Sequence, residues 1–429
     1  MTRVQLLLVA FALVAAAATV AAQSPPPLTL ADAEQTALHN HPQIQAAEFG
    51  AVAATQAVRE SRAAYFPTVV GSISGADAQS GSRIAAGGLN NPIIYNRVAG
   101  GISFGHLLTD FGRTRALVES SSFTAQAQQE NVSGQRASVL LDVDRAYFGA
   151  LRAQAVQRVA QATVDARQVA FDQVNALAQG NLRSGLDVSF ARVNLSTARL
   201  LLVQAQNDTE RAFATLAAAL GAPAVPSRDL LEETVPAAPP ADSSALIADA
   251  FRQRPELSAA RLSADAASSF AAAESGLRRP SVTVAGAFGM LPYFQPGISD
   301  RYAAVGVNVN LPLLNGNLFA AREAEAMARA HAQDQRVRDL ENQIRRDVQT
   351  AWLNARTAFQ RLDLTTELVD QARQALDLAQ ARYELGLSSI VELNQAQLAE
   401  TQAELEAASA RYEYQVESAA LSFATGARR

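Results

Sequence analysis

The chain has 429 residues, of which 49% are hydrophobic but only 6% aromatic, and it carries a net charge of −5. Its length could hold two or three globular domains, but abundant alanine and scarce aromatics are coiled-coil composition rather than the makings of bulky cores. Every basic residue is Arg and no basic cluster alternates with aromatics, which excludes nucleic acid as a partner; no cysteine occurs, which excludes disulfides, thiolate metal sites and a lipidated cysteine.

Residues 1–22 read as an export signal: Arg3, the apolar run Leu6 to Val20, then Ala21-Ala22 before Gln23. The mature chain is expected to start near Gln23. Its sequence repeats itself. Asn40-His41-Pro42-Gln43-Ile44 returns as Gln253-Arg254-Pro255-Glu256-Leu257, and Phe66-Pro67 returns as Arg279-Pro280, about 213 residues later. Asp142-Val143 returns as Asp347-Val348 and Asp187-Val188 as Glu392-Leu393, now about 205 residues later. The first copy therefore carries about eight extra residues between Pro67 and Asp110, expected in a loop near 79–95.

Within the first copy, residues 23–220, strands are expected at about 68–76 and 98–106, where Ile102 and Phe104 alternate with Ser103 and Gly105. A helix from about Arg113 to Ala178 comes next, then a hairpin tip at about 180–186 and a returning helix from Asp187 to Leu220. Residues 221–242 form a Pro-rich linker. The second copy, 243–429, repeats the plan with strands at about 281–290 and 303–311. There Val305, Val307, Val309 and Leu311 share one face, opposite Gly306, Asn308 and Asn310. From about Asn317 to Leu385 there is neither Pro nor Gly, and Val348, Ala355, Leu362, Val369, Leu376 and Tyr383 keep a heptad beat with Ala351, Ala358, Thr365, Ala372 and Ala379 beside them. Such a helix is about 100 Å long, too long for a compact domain. Its hairpin tip lies at about 385–389, before a helix from Ile390 to Phe423. Strands of this length, apolar on one side and small or polar on the other, suit the wall of a transmembrane barrel. A soluble hairpin sheet is the alternative, but helical hairpins leave no globular core to cover it.

Two enzyme-like signals are weak. Gly101-Ile102-Ser103-Phe104-Gly105 has the letters of a hydrolase nucleophile elbow, but its serine falls inside an alternating strand, and the later histidines are His106, three residues on in the same stretch, and His331 on a long helix. His39 and His41 are two apart, do not share a helical face and lack a carboxylate pair, so no metal or other cofactor is expected. A coiled-coil periplasmic adaptor or stalk without a pore is the competing non-enzymatic reading; such proteins carry one hairpin and a compact β domain, whereas this chain has two hairpins.

Across nearly all of the mature chain the residues resemble the outer-membrane efflux protein family, the TolC-like trimeric channel-tunnels. The likeness rests on Leu28-Thr29-Leu30-Ala31-Asp32-Ala33, Asn40-His41-Pro42, Ala64-Tyr65-Phe66-Pro67, Leu311-Pro312-Leu313-Leu314-Asn315-Gly316 and Arg382-Tyr383-Glu384-Leu385-Gly386-Leu387. It implies a mainly α fold with a membrane β-barrel: a homotrimer in the outer membrane, with a twelve-stranded barrel and a twelve-helix tunnel reaching into the periplasm. It also implies passive export of small molecules or polypeptides, in a tripartite efflux or type I secretion system with a periplasmic adaptor and an inner-membrane pump. By family position, Glu392 lines the periplasmic aperture with Gln395 one turn deeper. Tyr383 and Asp187 form a tip lock, weakened because Ser388 stands where some relatives have Arg. The exposed turns Leu182-Arg183-Ser184-Gly185 and Leu385-Gly386-Leu387 contact the adaptor.

Overall fold

The computed structural model describes residues 27–76, 84–86, 89–91, 97–290 and 299–428. The expected export signal, 1–22, and the loop near 79–95 lie outside the described residues, except for 84–86 and 89–91. The helices are α1 Leu30–Asn40, α2 Pro42–Ala63, α3 Arg113–Gln179, α4 Gly185–Ala219, α5 Ser244–Gln253, α6 Pro255–Ser275, α7 Leu318–Glu384 and α8 Ile390–Ala424. The strands are β1 Thr68–Ala76, β2 Ile84–Ala86, β3 Leu89–Asn91, β4 Arg97–Thr109, β5 Ser281–Met290 and β6 Arg301–Asn310. The short strands β2 and β3 pair antiparallel with each other, apart from the four-stranded sheet. β6 stops before Leu311, where the chain runs into Pro312 and has no amide to offer a ladder. The chain divides into two compact units. One holds the residues up to Gln45, Gly134–Arg254 and Gln343 onward; the other holds Ala46–Ser133 and Pro255–Asn342.

The second unit contains an antiparallel sheet of order β1-β4-β5-β6, with β1 and β6 at its edges. Pairing sorts its residues by face. Val282 pairs with Val309 and Val284 with Val307, so the exposed valines of β6, at 60% to 65%, continue across β5. Phe104 of β4 stacks on Phe288 of β5 on that face, with ring centroids 6.1 Å apart. The other face is small: Ser103 pairs with Ala287, and Ala285 with Gly306. There the Tyr302 ring lies over Gly101 and Gly289, where an added Cβ would collide with its hydroxyl. Leaving the sheet, each copy uses two consecutive left-handed residues, Phe111 (φ 54) and Gly112 (φ 101) before α3, Gly316 (φ 60) and Asn317 (φ 64) before α7. Asp110 closes the first of these turns, accepting from the Thr114 amide at 2.7 Å. Close by, the buried carboxylate of Glu274 on α6 meets Arg322 at 2.8 Å and Arg113 at 3.9 Å.

The first unit is built on the returning hairpins. The prolines after Asn40-His41 and Gln253-Arg254 hold the preceding residue extended, at ψ 122 for His41 and ψ 120 for Arg254, and so separate α1 from α2 and α5 from α6. Against these breaks sit the glycines that end α4 and α8. Gly221 (φ 65) lies so close that a Cβ would come 3.0 Å from His41 Cα, and at Gly426 (φ 75) it would come 2.9 Å from the Arg254 nitrogen. Only glycine satisfies both the left-handed turn and the approach. The core around Val143, Tyr147, Leu151 and Leu216 also takes in Leu28 and Leu230. Tyr147 donates to the carbonyls of Leu28 and Leu231 at 2.7 and 2.8 Å. The irregular linker cannot satisfy its own carbonyls, and the helices supply donors: Gln415 to Glu233 at 3.1 Å, Tyr414 to Ala237, and the Trp352 indole to Pro240 at 2.8 Å.

Candidate functional site

The two hairpin tips are built on one template. α3 ends on Asn181 in the left-handed region (φ 56), with the Leu182 amide reaching back to the Leu177 carbonyl at 2.9 Å; α7 ends on Gly386 (φ 73), with Leu387 reaching Arg382 at 2.8 Å. This is the glycine-type helix stop, and in the first tip asparagine performs it rather than Gly180 or Gly185. Ser184 and Ser389 then cap the returning helices. Superposing Asn181 on Gly386 pairs Leu182 with Leu387, Arg183 with Ser388, Ser184 with Ser389, and Asp187 with Glu392.

Asp187 and Tyr383, the expected tip lock, sit in different local settings. Asp187 closes a capping box: its amide donates to Ser184 Oγ at 3.2 Å and its carboxylate accepts from the Ser184 amide at 3.1 Å. Tyr383 is 6% exposed, packed with Ile390, Leu393, Phe190 and Leu376, and its hydroxyl has no hydrogen-bond partner. The structure therefore does not join Tyr383 to Asp187 by a hydrogen bond, because the N-terminal amide already holds that carboxylate. Arg183 of the first tip reaches Tyr383 of the second: its guanidinium donates to the Tyr383 carbonyl at 2.8 Å and lies 4.0 Å from the centre of its ring. Burial raises the Tyr383 phenol above its ordinary pKa, the negative charge of Asp187 adds to the rise, and Arg183 opposes it. Ser388 is half-buried with its hydroxyl unpartnered. Arg183 stands at the position of the first tip equivalent to Ser388 of the second. The repeat offset pairs Arg183 with Ser388, and that was the available signal; the contact itself joins residues 200 apart in sequence.

Glu392 stands half-buried in the first turn of α8 and its carboxylate lies 3.6 Å from Arg382 Nε, so its charge is partly neutralised within the chain. Gln395 is exposed one turn on. Leu182, Leu385 and Leu387 of the turns and Leu186 at the start of α4 are 63% to 74% exposed. Elsewhere, Ser103 lies inside β4 with its hydroxyl directed at the Val70 carbonyl, 3.5 Å away, and no strand-to-helix turn presents it as a nucleophile. His41 Nδ1 accepts from the Gln43 amide at 3.3 Å, while His39 lies in the last turn of α1. Among the described residues no helix is long and apolar enough to cross a membrane.

The sequence profile described as outer membrane efflux protein matches residues 34–222 and 246–427, one copy each side of the linker. Outer membrane protein TolC of Escherichia coli is 23% identical over 339 residues, 74% of this chain and 69% of that protein. Outer membrane efflux protein BepC of Brucella suis is 23% identical over 412 residues, 93% of this chain and 85% of that protein. Among solved structures, the outer membrane protein VceC of Vibrio cholerae superposes with a TM-score of 0.79 at 21% identity, covering 92% of this chain and 96% of that one.

Proposed function

Because the chain belongs to the outer membrane efflux protein family, we propose that it is the outer-membrane channel of a tripartite efflux or type I secretion system, which carries small molecules or polypeptides passively through a trimeric tunnel. One observation carries this reading. The four-stranded sheet exposes an apolar face and, among the described residues, leaves the outer edges of β1 and β6 without a partner strand. A bilayer covers such a face but tolerates no open edge, so each β1 must meet the β6 of another copy, and three copies make twelve strands. The copies, 23–220 and 243–429, then contribute two strands and one hairpin each to the barrel and the periplasmic tunnel, and residues 221–242 join them.

The tips meet the adaptor through Leu182, Arg183, Ser184, Gly185, Leu385, Gly386 and Leu387, and the inner-membrane pump stands behind the adaptor. The aperture is formed by Glu392 and Gln395. Its resting state is held by Arg183 on Tyr383, with Asp187 keeping the first turn rigid and Ser388 leaving room for the guanidinium. Purified trimers added to a planar bilayer are expected to give stepwise conductance that is blocked from one side only. Intact trimers that insert without conducting would overturn the channel.

A further inference from the structure

The heptad seam that holds small residues in the second copy holds a cation in the first. Ala372 is buried in a small cluster with Val369, Ala403 and Ala407; at the equivalent place on α3 stands Arg167, only 8% exposed. Its guanidinium donates to the Gln397 carbonyl at 2.9 Å and to Thr401 Oγ1 at 3.2 Å, both neutral acceptors on α8. Among the described residues no carboxylate lies within ion-pairing distance. Glu400 and Glu404 act on it from further away, opposing the burial that pulls its pKa below the ordinary arginine value. A guanidinium stays charged even when buried, and a buried charge without a direct counter-charge is under-compensated.

Arg167 lines a groove of about 540 Å³ between α3, α4 and α8, within the range of small-molecule sites. The walls are largely apolar, from Ala198, Leu201, Leu398 and Leu405. A fixed polar pair stands at the rim, the Asn194 amide donating to Asn394 Oδ1 at 2.6 Å. The lining also includes the Glu406 carboxylate, which Arg361 holds at 3.1 Å. The cation without a direct counter-charge is Arg167, and with a few amides and a leucine wall it defines an amphipathic ligand of opposite charge. We propose that this groove binds an amphipathic organic anion, its acidic head at Arg167 and its apolar body against Leu201, Leu398 and Leu405. A ligand so placed touches both hairpins of the protomer. The site goes beyond conduction, since binding is an equilibrium property of the closed or open tunnel alike.

The test uses the full-length trimer in nanodiscs, titrated with the anionic dye anilinonaphthalene sulfonate and with its neutral analogue phenylnaphthylamine, each corrected for empty nanodiscs. The anion is expected to bind saturably, one per chain, and the neutral analogue at least about tenfold more weakly. Arg167→Gln keeps a donor for Gln397 and Thr401 but removes the charge, and Leu398→Glu places a negative charge on a groove side chain that is 65% exposed in the protomer. Each is expected to weaken the anion by about tenfold or more, and Leu398→Lys to strengthen it. The proposal is overturned if the wild type shows no saturable binding, if the neutral analogue binds as tightly, or if Leu398→Glu leaves the affinity unchanged. Should Arg167→Gln fail to assemble, Leu398→Glu alone decides.

Discussion

Replacing Arg183 with Ala removes a charged side chain that reaches from the first tip to the second. Two interactions go with it: a charge-assisted hydrogen bond to the Tyr383 carbonyl at 2.8 Å and a ring contact at 4.0 Å. Shielded, the first contributes about 1.5 to 3 kcal/mol and the second about 0.5 to 1 kcal/mol at an exposed site. Arg183 is half-buried and the two share one guanidinium, so the lower end applies, about 2 kcal/mol, or about thirtyfold in the ratio of closed to open tips. Tyr383→Phe makes the sharper comparison. The Tyr383 hydroxyl has no partner, so removing it is expected to change the open fraction little, whereas a phenol–carboxylate lock would open as far as in the arginine variant. Single-channel recording of wild type, Arg183→Ala and Tyr383→Phe in one bilayer composition reads all three. If Tyr383→Phe opens the channel and Arg183→Ala does not, the assignment of the lock to Arg183 is wrong.

Other consequences concern charge and packing. Arg382 partly neutralises Glu392 at 3.6 Å, so reversal potentials should shift toward stronger cation preference in Arg382→Gln and lose preference in Glu392→Gln; equal effects of the same sign would show that the two charges do not share a pore. Asp144, buried against Arg428 and Glu34, has its pKa raised from 3.8 to about 7, chiefly by burial. A carboxyl with a raised folded-state pKa contributes stability that is full below its unfolded pKa and is lost as pH rises through the folded one. Wild-type Tm relative to Asp144→Asn should therefore fall between about pH 4 and pH 7, and parallel curves would place the titration elsewhere. Alanine at Gly221 or Gly426 should lower Tm, by more than about 1 kcal/mol in stability, whereas alanine at Gly185, which has open space and no left-handed φ, should be neutral or slightly stabilising; three equal effects would refute the role of close approach.

Much of the fold was legible because its signals are periodic and local. Heptads marked α3 and α7, alternation marked β4 to β6, and prolines marked the breaks after His41 and Arg254. The repeat then made each junction visible twice. The left-handed residues bear this out: they fall at Phe111 and Gly316, Gly112 and Asn317, Asn181 and Gly386, and Gly221 and Gly426, so the backbone kept the repeat even where the side chain changed. The tip contacts were less legible. Arg183 meets Tyr383 through a backbone carbonyl and a ring face, neither of which leaves a mark in residue type, and the capping box that holds the Asp187 carboxylate depends on local geometry that residue type alone does not show. The cation at Arg167 was equally hidden, since a single arginine on a long helix ordinarily points to solvent.

The central claim, that three copies close one barrel by joining β1 to β6, can be tested in a chain with no cysteine of its own. Ser72→Cys on β1 can be combined in turn with Ala304→Cys, Gly306→Cys or Asn308→Cys on β6, all on the small-residue face of the sheet, and oxidised in outer membranes before denaturing electrophoresis. At least one pairing is expected to give covalent dimers and trimers and nothing larger. Monomers at every register, or a ladder continuing past three, would contradict a closed trimer.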